Sequence, residues 1–195
     1  MLNILLLGPQ GSGKGTQAKK LAATYGLAHI STGDLYRAAI AAETELGKLV
    51  APILASGALV PDDVTVELIR GRLDRGDTLP GFILDGFPRT MAQAEALDDL
   101  LAELGRSLDV VFEFQVPNRE ELIERMLKRA AEEGRPDDTL ETIRLRLETY
   151  DRETAPLVEW YRTTRGNVVG IHGDRAVDEV FRELTEALTS VEALR

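Results

Sequence analysis

An apolar run at residues 2–7 feeds directly into Gly8-Pro9-Gln10-Gly11-Ser12-Gly13-Lys14-Gly15-Thr16, and a helix-compatible stretch follows at 17–25. That order leaves the chain few options. A buried strand delivers the backbone to a turn whose glycines, lacking Cβ, let it bend around an anion with its N–H groups facing inward. The helix that begins at the exit adds unsatisfied amides and the positive end of its dipole, and Lys14 supplies a mobile point charge. The spacing of Gly8, Gly13 and Lys14 satisfies the phosphate-loop pattern G-x-x-x-x-G-K. The strict pattern has Ser or Thr directly after the lysine; here Gly15 intervenes before Thr16, which leaves metal ligation by that hydroxyl open. The bland alternative, a glycine-rich turn without ligand, fits the flanking strand and helix less well.

At 195 residues the chain is long enough for one domain with a continuous core. No apolar run reaches the ~18 residues of a membrane span, and the start lacks a basic leader, so a soluble, cytoplasmic protein is expected. Without cysteine there is no disulfide and no thiolate zinc site, and only His29 and His172 offer imidazole, each read as an ordinary strand-end residue. The net charge of −10 argues against binding nucleic acid or an acidic membrane surface. Of the 23 basic residues five are lysine, and this arginine bias reads either as genome composition or as a preference for the planar fork that suits phosphate.

Short β-rich runs alternate with long helical patterns, which predicts an α/β fold with a parallel sheet covered by helices on both faces. Strands are expected at 2–7, 28–30, 81–84, 109–116 and 167–171. Helices are expected at 13–25, 33–42, 46–56, 62–74, 91–104, 119–131, 140–165 and 177–194. The interval of about fifty residues between the second and third strands exceeds one crossover and reads as an inserted helical flap. The turn at 130–136 reads as a short lid. No linker divides the chain.

Three further motifs carry chemistry. Ser31-Thr32-Gly33-Asp34-Leu35-Tyr36-Arg37 opens a helix, with Ser31 and Asp34 at capping spacing and Arg37 one turn on, placed to hold a phosphate. Gly81-Phe82-Ile83-Leu84-Asp85-Gly86-Phe87-Pro88-Arg89 puts an acid at the carboxyl end of a buried strand, where open α/β sheets bind ligands. Asp85 is either a turn former or the partner of a hydrated Mg²⁺, and Arg89 either a surface residue or a clamp. The run Arg125, Arg129, Arg135, Asp137, Asp138, Arg144 and Arg146 reads either as a solvated salt-bridged face or as an anion clamp. Arg125 and Arg129 share a helical face, and only one of Arg144 and Arg146 can point with them. Trp160, Tyr161 and Phe181 read as core.

The blocks at 8–17, 31–37, 57–61, 81–93, 125–138 and 144–150 together resemble the adenylate kinases, over residues 2–188. The resemblance implies a single phosphate-loop kinase domain over 1–195, a five-stranded parallel sheet in the order 2-3-1-4-5, a nucleoside-monophosphate flap at 31–60 and a lid at 130–136. It implies reversible phosphoryl transfer from ATP to AMP giving two ADP, with Mg²⁺ on ATP, by a monomer. By similarity Gly11, Ser12, Gly13, Lys14, Gly15 and Thr16 hold the ATP phosphates. Arg125 and Arg129 touch them, and Arg175 contacts adenine through its backbone. Thr32, Arg37, Ala58, Leu59, Val60, Gly86, Phe87, Pro88, Arg89 and Gln93 form the AMP site. Arg135 and Arg146 bridge the two nucleotides, and Lys14, Arg89, Arg129, Arg135 and Arg146 are the catalytic set. Asp137 and Asp138 orient the arginines, and Asp85 anchors Mg²⁺ through water. Pro9, Gln10 and Tyr36 depart from the family's usual residues, and the short Arg129 to Arg135 spacing leaves no room for a long lid or a zinc site. The nearest rival is a UMP/CMP kinase on the same scaffold, and Thr32 and Gln93 favour AMP. A rival of another class is an ATP-sensing module, which has no need of a second nucleotide site.

Overall fold

The computed structural model describes residues 1–135 and 137–193. Pro136 of the expected lid and residue 194 of the expected last helix lie outside the described residues. Strand β1 (Leu2–Leu7) is buried at every position, as a central strand covered on both faces must be. Around it lie β2 (Ala28–Ser31), β3 (Gly81–Asp85), β4 (Val110–Gln115) and β5 (Val168–His172), all parallel, in the order β2-β3-β1-β4-β5. That is the expected fold class and strand order. The sequence placed the strand ends within a residue or so.

The period-2 alternation of the strands divides the core into two layers. Leu5, Leu7, Ile30, Phe82, Leu84 and Val111 face one side. There α4 (Asp62–Leu73), α5 (Met91–Glu103) and α8 (Pro156–Thr164) contribute Ile69, Leu97, Leu157 and Tyr161. Ile4, Leu6, Ile83, Phe112 and Ile171 face the other side, against Ala18 and Leu21 of α1 (Lys14–Tyr25) and Leu184 and Leu188 of α9 (Val177–Glu192). Tyr161 is core, as read, while Trp160 and Phe181 are only partly buried against it.

Two satellite clusters stand off the sheet. Tyr36, Val50 and Val60 join α2 (Thr32–Ala41), α3 (Glu45–Ser56) and the start of α4. Leu122, Met126, Ile143 and Leu147 join α6 (Arg119–Glu133) to α7 (Leu140–Thr149). Sequence signals set these helix starts: Ser31, Thr44, Thr90, Asn118 and Thr139 each accept a hydrogen bond from a first-turn amide. The caps are why the expected starts agree with the observed ones so closely.

The single helix expected at 140–165 is not continuous. It is interrupted by a π-helical turn, Tyr150–Thr154, between α7 and α8. Pro156 has no N–H to give the carbonyl of Arg152, so the ordinary i to i−4 ladder fails there, and the Ala155 amide donates to Tyr150 O, five residues back, at 2.8 Å.

Where α2 meets α3, the backbones approach so closely that a Cβ on the buried Gly47 would lie 2.1 Å from the Ala39 carbonyl oxygen. Replacing Gly47 by alanine therefore forces the two helices apart. The expected cost is about 1–3 kcal/mol, read as a lower urea midpoint at unchanged slope.

Candidate active site

The carboxyl ends of β1, β2 and β3 open onto one cleft of about 700 Å³. Its floor is the loop after β1, where Gly8, Gly11 and Gly13 all have positive φ. At Gly11 (φ 84°) a Cβ would also meet the Leu122 carbonyl at 2.8 Å, so the loop needs glycine there for both conformation and space. Lys14 curls back over the loop, and its ammonium donates to Gly8 O at 2.6 Å, Pro9 O at 2.7 Å and Ser12 Oγ at 3.3 Å. All three acceptors are neutral. Burial lowers the Lys14 pKa from 10.5 to about 8 against the opposing pull of Asp85, and Arg89 and Arg129 push it the same way as burial.

Parallel pairing sets Leu6 opposite Asp85 and Ser31 opposite Asp85 from the other side. The Asp85 carboxylate therefore emerges beside the phosphate loop, and a Cβ on Gly15 would lie 3.4 Å from its Oδ2. Burial drives the Asp85 pKa up, but the His29 imidazole, Lys14 and Arg89 outweigh it and hold the group below the usual carboxylate range. His29, expected as a strand-end residue, lies within β2, its Nε2 3.6 Å from Asp85 Oδ2. His172 does end its strand and pairs with Glu183 at 2.7 Å. No group of three or more His, Asp or Glu side chains suited to a metal occurs among the described residues. A cation beside Asp85 would have one protein carboxylate within reach through water and would take its own shell from water and ligand oxygens, a donor set that suits Mg²⁺.

The wall above β3 belongs to the loop that carries Arg89. Its Nε donates to Gly86 O at 2.8 Å, its amide donates to Gln93 Oε1 at 2.8 Å, and its carbonyl accepts from Thr154 Oγ1 at 2.8 Å. Gln93 is held in turn by Asp62, which accepts from Nε2 at 2.7 Å. Burial, with Arg146 and Arg37 nearby, lowers the Arg89 pKa, and Asp85 opposes that shift; a guanidinium keeps its charge regardless. Thr32 Oγ1 donates to the same Gly86 carbonyl at 2.8 Å.

The roof is built from α6 and α7. Asp138 is almost wholly buried and accepts from Arg129 Nη2 at 2.6 Å and Nε at 3.1 Å, and from Arg146 Nη1. Arg146 also donates to Asp137 at 2.6 Å and to Leu54 O of α3 at 3.0 Å. Arg144 is exposed, so of that pair only Arg146 turns inward, as expected. Arg125 bridges Gly173 O at 2.7 Å and Glu121 at 2.5 Å; Arg135 pairs with Glu133 at 2.6 Å and Arg37 with Asp34 at 2.5 Å.

The cleft thus collects Gly11, Ser12, Gly13, Lys14, Gly15, Thr16, Thr32, Arg37, Ala58, Leu59, Val60, Asp85, Gly86, Pro88, Arg89, Gln93, Arg125, Arg129, Arg135, Arg146 and Arg175. It does not collect Phe87. While Gly86 and Pro88 border the cleft, the Phe87 ring is buried in the core. Sequence reasoning passed over Asp62, Thr65 and Thr154; Asp62 follows Pro61 at a helix start, which was a usable signal, and the other two carry none.

A phosphate loop on the central strand of a parallel sheet, facing a cleft of arginines, defines a phosphate-loop phosphotransferase fold. The family model described as adenylate kinase matches residues 6–166. Adenylate kinase from Maricaulis maris is 50% identical over 187 residues, spanning 96% of this chain and 98% of its own. The Leifsonia xyli adenylate kinase is 49% identical, spanning 95% and 92%, and that of Parabacteroides distasonis 45%, spanning 98% and 100%. The chain belongs to the adenylate kinase family. It is a nucleotide-binding kinase.

The lowered Lys14 pKa has a measurable consequence. Between pH 8 and 10.5 the unfolded chain holds the Lys14 proton more fully than the folded one, so stability rises with pH on its account. In urea titrations across that range the parent should gain stability relative to Lys14→Met, and parallel pH profiles would contradict the burial.

Proposed function

We propose that the chain catalyses reversible transfer of the terminal phosphoryl group of ATP to AMP, giving two ADP. One observation carries this reading. The cleft that holds the phosphate loop also gathers Arg37, Thr32, Val60 and Gln93, beyond what one nucleotide's phosphates need, with Arg89, Arg129, Arg135 and Arg146 around it. A module that only senses ATP has no use for this second group. In this reading residues 31–60 are the flap over AMP and the turn at 130–136 is the lid over ATP.

The attacking group is an AMP phosphate oxygen, already anionic at neutral pH, so no general base is needed. The barrier is one of alignment and charge. The loop amides of residues 11–16 and the Lys14 ammonium take the donor's phosphates; Lys14 is free to follow the moving group because its present acceptors are neutral carbonyls and a hydroxyl. Arg37 and Arg89 grip the AMP phosphate. Arg125 and Arg129 hold the donor, and Arg135 and Arg146 face the equatorial oxygens between them, where transition-state charge spreads. Asp138 takes only part of the donor fork of Arg129 and of Arg146, which leaves N–H groups of both for phosphate. Mg²⁺, anchored through water by Asp85, would neutralise the donor's β and γ oxygens. Arg175 meets the donor base through its backbone, its exposed side chain lying near Glu183.

Hydrogen-bond accounting favours adenine in the acceptor pocket. The Thr32 hydroxyl gives its hydrogen to Gly86 O, and that of Thr65 goes to Pro61 O at 3.0 Å. The hydrogen in the 2.7 Å contact between Tyr36 and Thr65 therefore comes from Tyr36. These three hydroxyls keep only lone pairs for a base, which suits an amino group and not the carbonyl of uracil or guanine.

Lys14→Met should fold and yet lose roughly two to three orders of magnitude in turnover, the scale seen when one preorganised charge donor is removed. A coupled ADP assay near the parent rate would reject the role. At fixed ATP, kcat/KM should be at least about tenfold higher for AMP than for UMP or GMP, one unmatched polar group being worth that much. Equal use of UMP would instead favour a pyrimidine-nucleotide kinase.

A further inference from the structure

The π-helical turn Tyr150–Thr154 is the only one of its kind among the described residues, and Pro156 alone does not account for what it does. A single additional residue in a helical turn rotates everything after it by about 100°. Here that rotation lets α7 bury Ile143 and Leu147 in the cluster under α6, while α8 buries Leu157, Val158 and Tyr161 against the sheet. Between the two, Asp151 and Arg152 face solvent and Thr154 turns inward, 7% exposed.

Threonines on helices of this chain commonly return their hydroxyl hydrogen to the carbonyl four residues back, as Thr24, Thr163, Thr164 and Thr189 do. Thr154 does not. Its hydrogen goes to the main-chain carbonyl of Arg89, 65 residues away, at 2.8 Å. Arg89 sits on the connection between β3 and α5, which has no ladder of its own, and side chains hold it at both main-chain ends: Gln93 takes the amide hydrogen and Thr154 supplies the hydrogen to the oxygen. With the peptide fixed, the guanidinium has one short path into the cleft, where Nε meets Gly86 O.

We propose that Thr154, presented by the π turn, is a positioning residue for Arg89: it fixes the Arg89 peptide so that the guanidinium meets the acceptor phosphate without reorganising. This rests on the reading of Arg89 as the acceptor-phosphate grip. Thr154→Val keeps the side-chain shape, removes the donor and leaves a partly buried carbonyl oxygen without this partner. A guanidinium displaced by an ångström or less is expected to cost roughly ten- to a hundredfold in kcat/KM for AMP.

The test is steady-state kinetics of the full chain with ATP and AMP varied independently. Thr154→Val should lose that factor for AMP while KM for ATP stays within about twofold, Thr154→Ser should recover the parent value within about threefold, and adding Thr154→Val to Arg89→Ala should cause no further loss. A merely structural role would depress both nucleotides alike and persist in the double variant, and that outcome overturns the proposal. If valine does not fold, Thr154→Ala removes the same donor with less bulk and is read in the same way. Should Arg89→Ala itself leave AMP kinetics unchanged, the grip reading falls and the proposal with it. Should Arg89→Ala cripple AMP use while Thr154→Val matches the parent, only the role of Thr154 is refuted.

Discussion

The parallel pairing of β1 with β3 is the constraint on which the site depends. It sets Leu6 against Asp85, so the strand that ends in the phosphate loop and the strand that ends in a carboxylate finish at the same height. The loop then brings Gly15 beside that carboxylate, where a Cβ would lie 3.4 Å from Asp85 Oδ2, an ordinary van der Waals distance. In the reading proposed above, the acid would serve a cation through water. Lys14 is half-buried beside it and donates only to neutral acceptors, which leaves its charge without a hydrogen-bonded anion.

Around this centre an acidic chain builds a cationic cleft by giving its arginines two kinds of carboxylate partner. Asp138 is buried and shared between Arg129 and Arg146, and removing it would strand two guanidinium groups in a low-dielectric pocket. Those two arginines are set in place before any ligand binds. Asp34, Glu121 and Glu133 are far more exposed, and pairs of that sort contribute little to stability. In the proposed reaction, Arg37, Arg125 and Arg135 would exchange such partners for phosphate oxygens at small cost, while Arg129 and Arg146 would meet the charge at the centre without reorganisation.

The two satellite clusters bear on the same point. The α2–α3 side is packed around Tyr36, Val50 and Val60 and the roof around Met126, Ile143 and Leu147, each with its own small core apart from the sheet. They meet where α3 ends: Arg146 donates to Leu54 O, and a Cβ on Gly57 would lie 3.3 Å from Thr142. A roof arginine is thereby tied to the end of α3 through a main-chain oxygen.

Much of this was legible in the residues because it is local. Glycine spacing, a lysine at a helix start, capping side chains and strand alternation act within a few positions, so the chain by itself determined the phosphate loop, the α/β class and the helix starts, and it flagged Arg37, Asp85, Arg89 and the arginine run as candidates; the rest of the cleft-lining set came with the family resemblance. Family resemblance supplied the strand order. Tertiary structure alone decided the rest, since each remaining feature is a contact between distant segments. Phe87 stands in the motif beside Gly86 and Pro88 but packs in the core cluster with Leu84, Ala94 and Leu97, which no local pattern announces. The long helix at 140–165 breaks into two because α7 and α8 have different cores to fill and Pro156 removes one rung between them. Gln93 is held by Asp62, and Arg89 by Thr154, through single hydrogen bonds that span 31 and 65 residues. No periodicity encodes such bonds; they exist only once the sheet has brought those segments together.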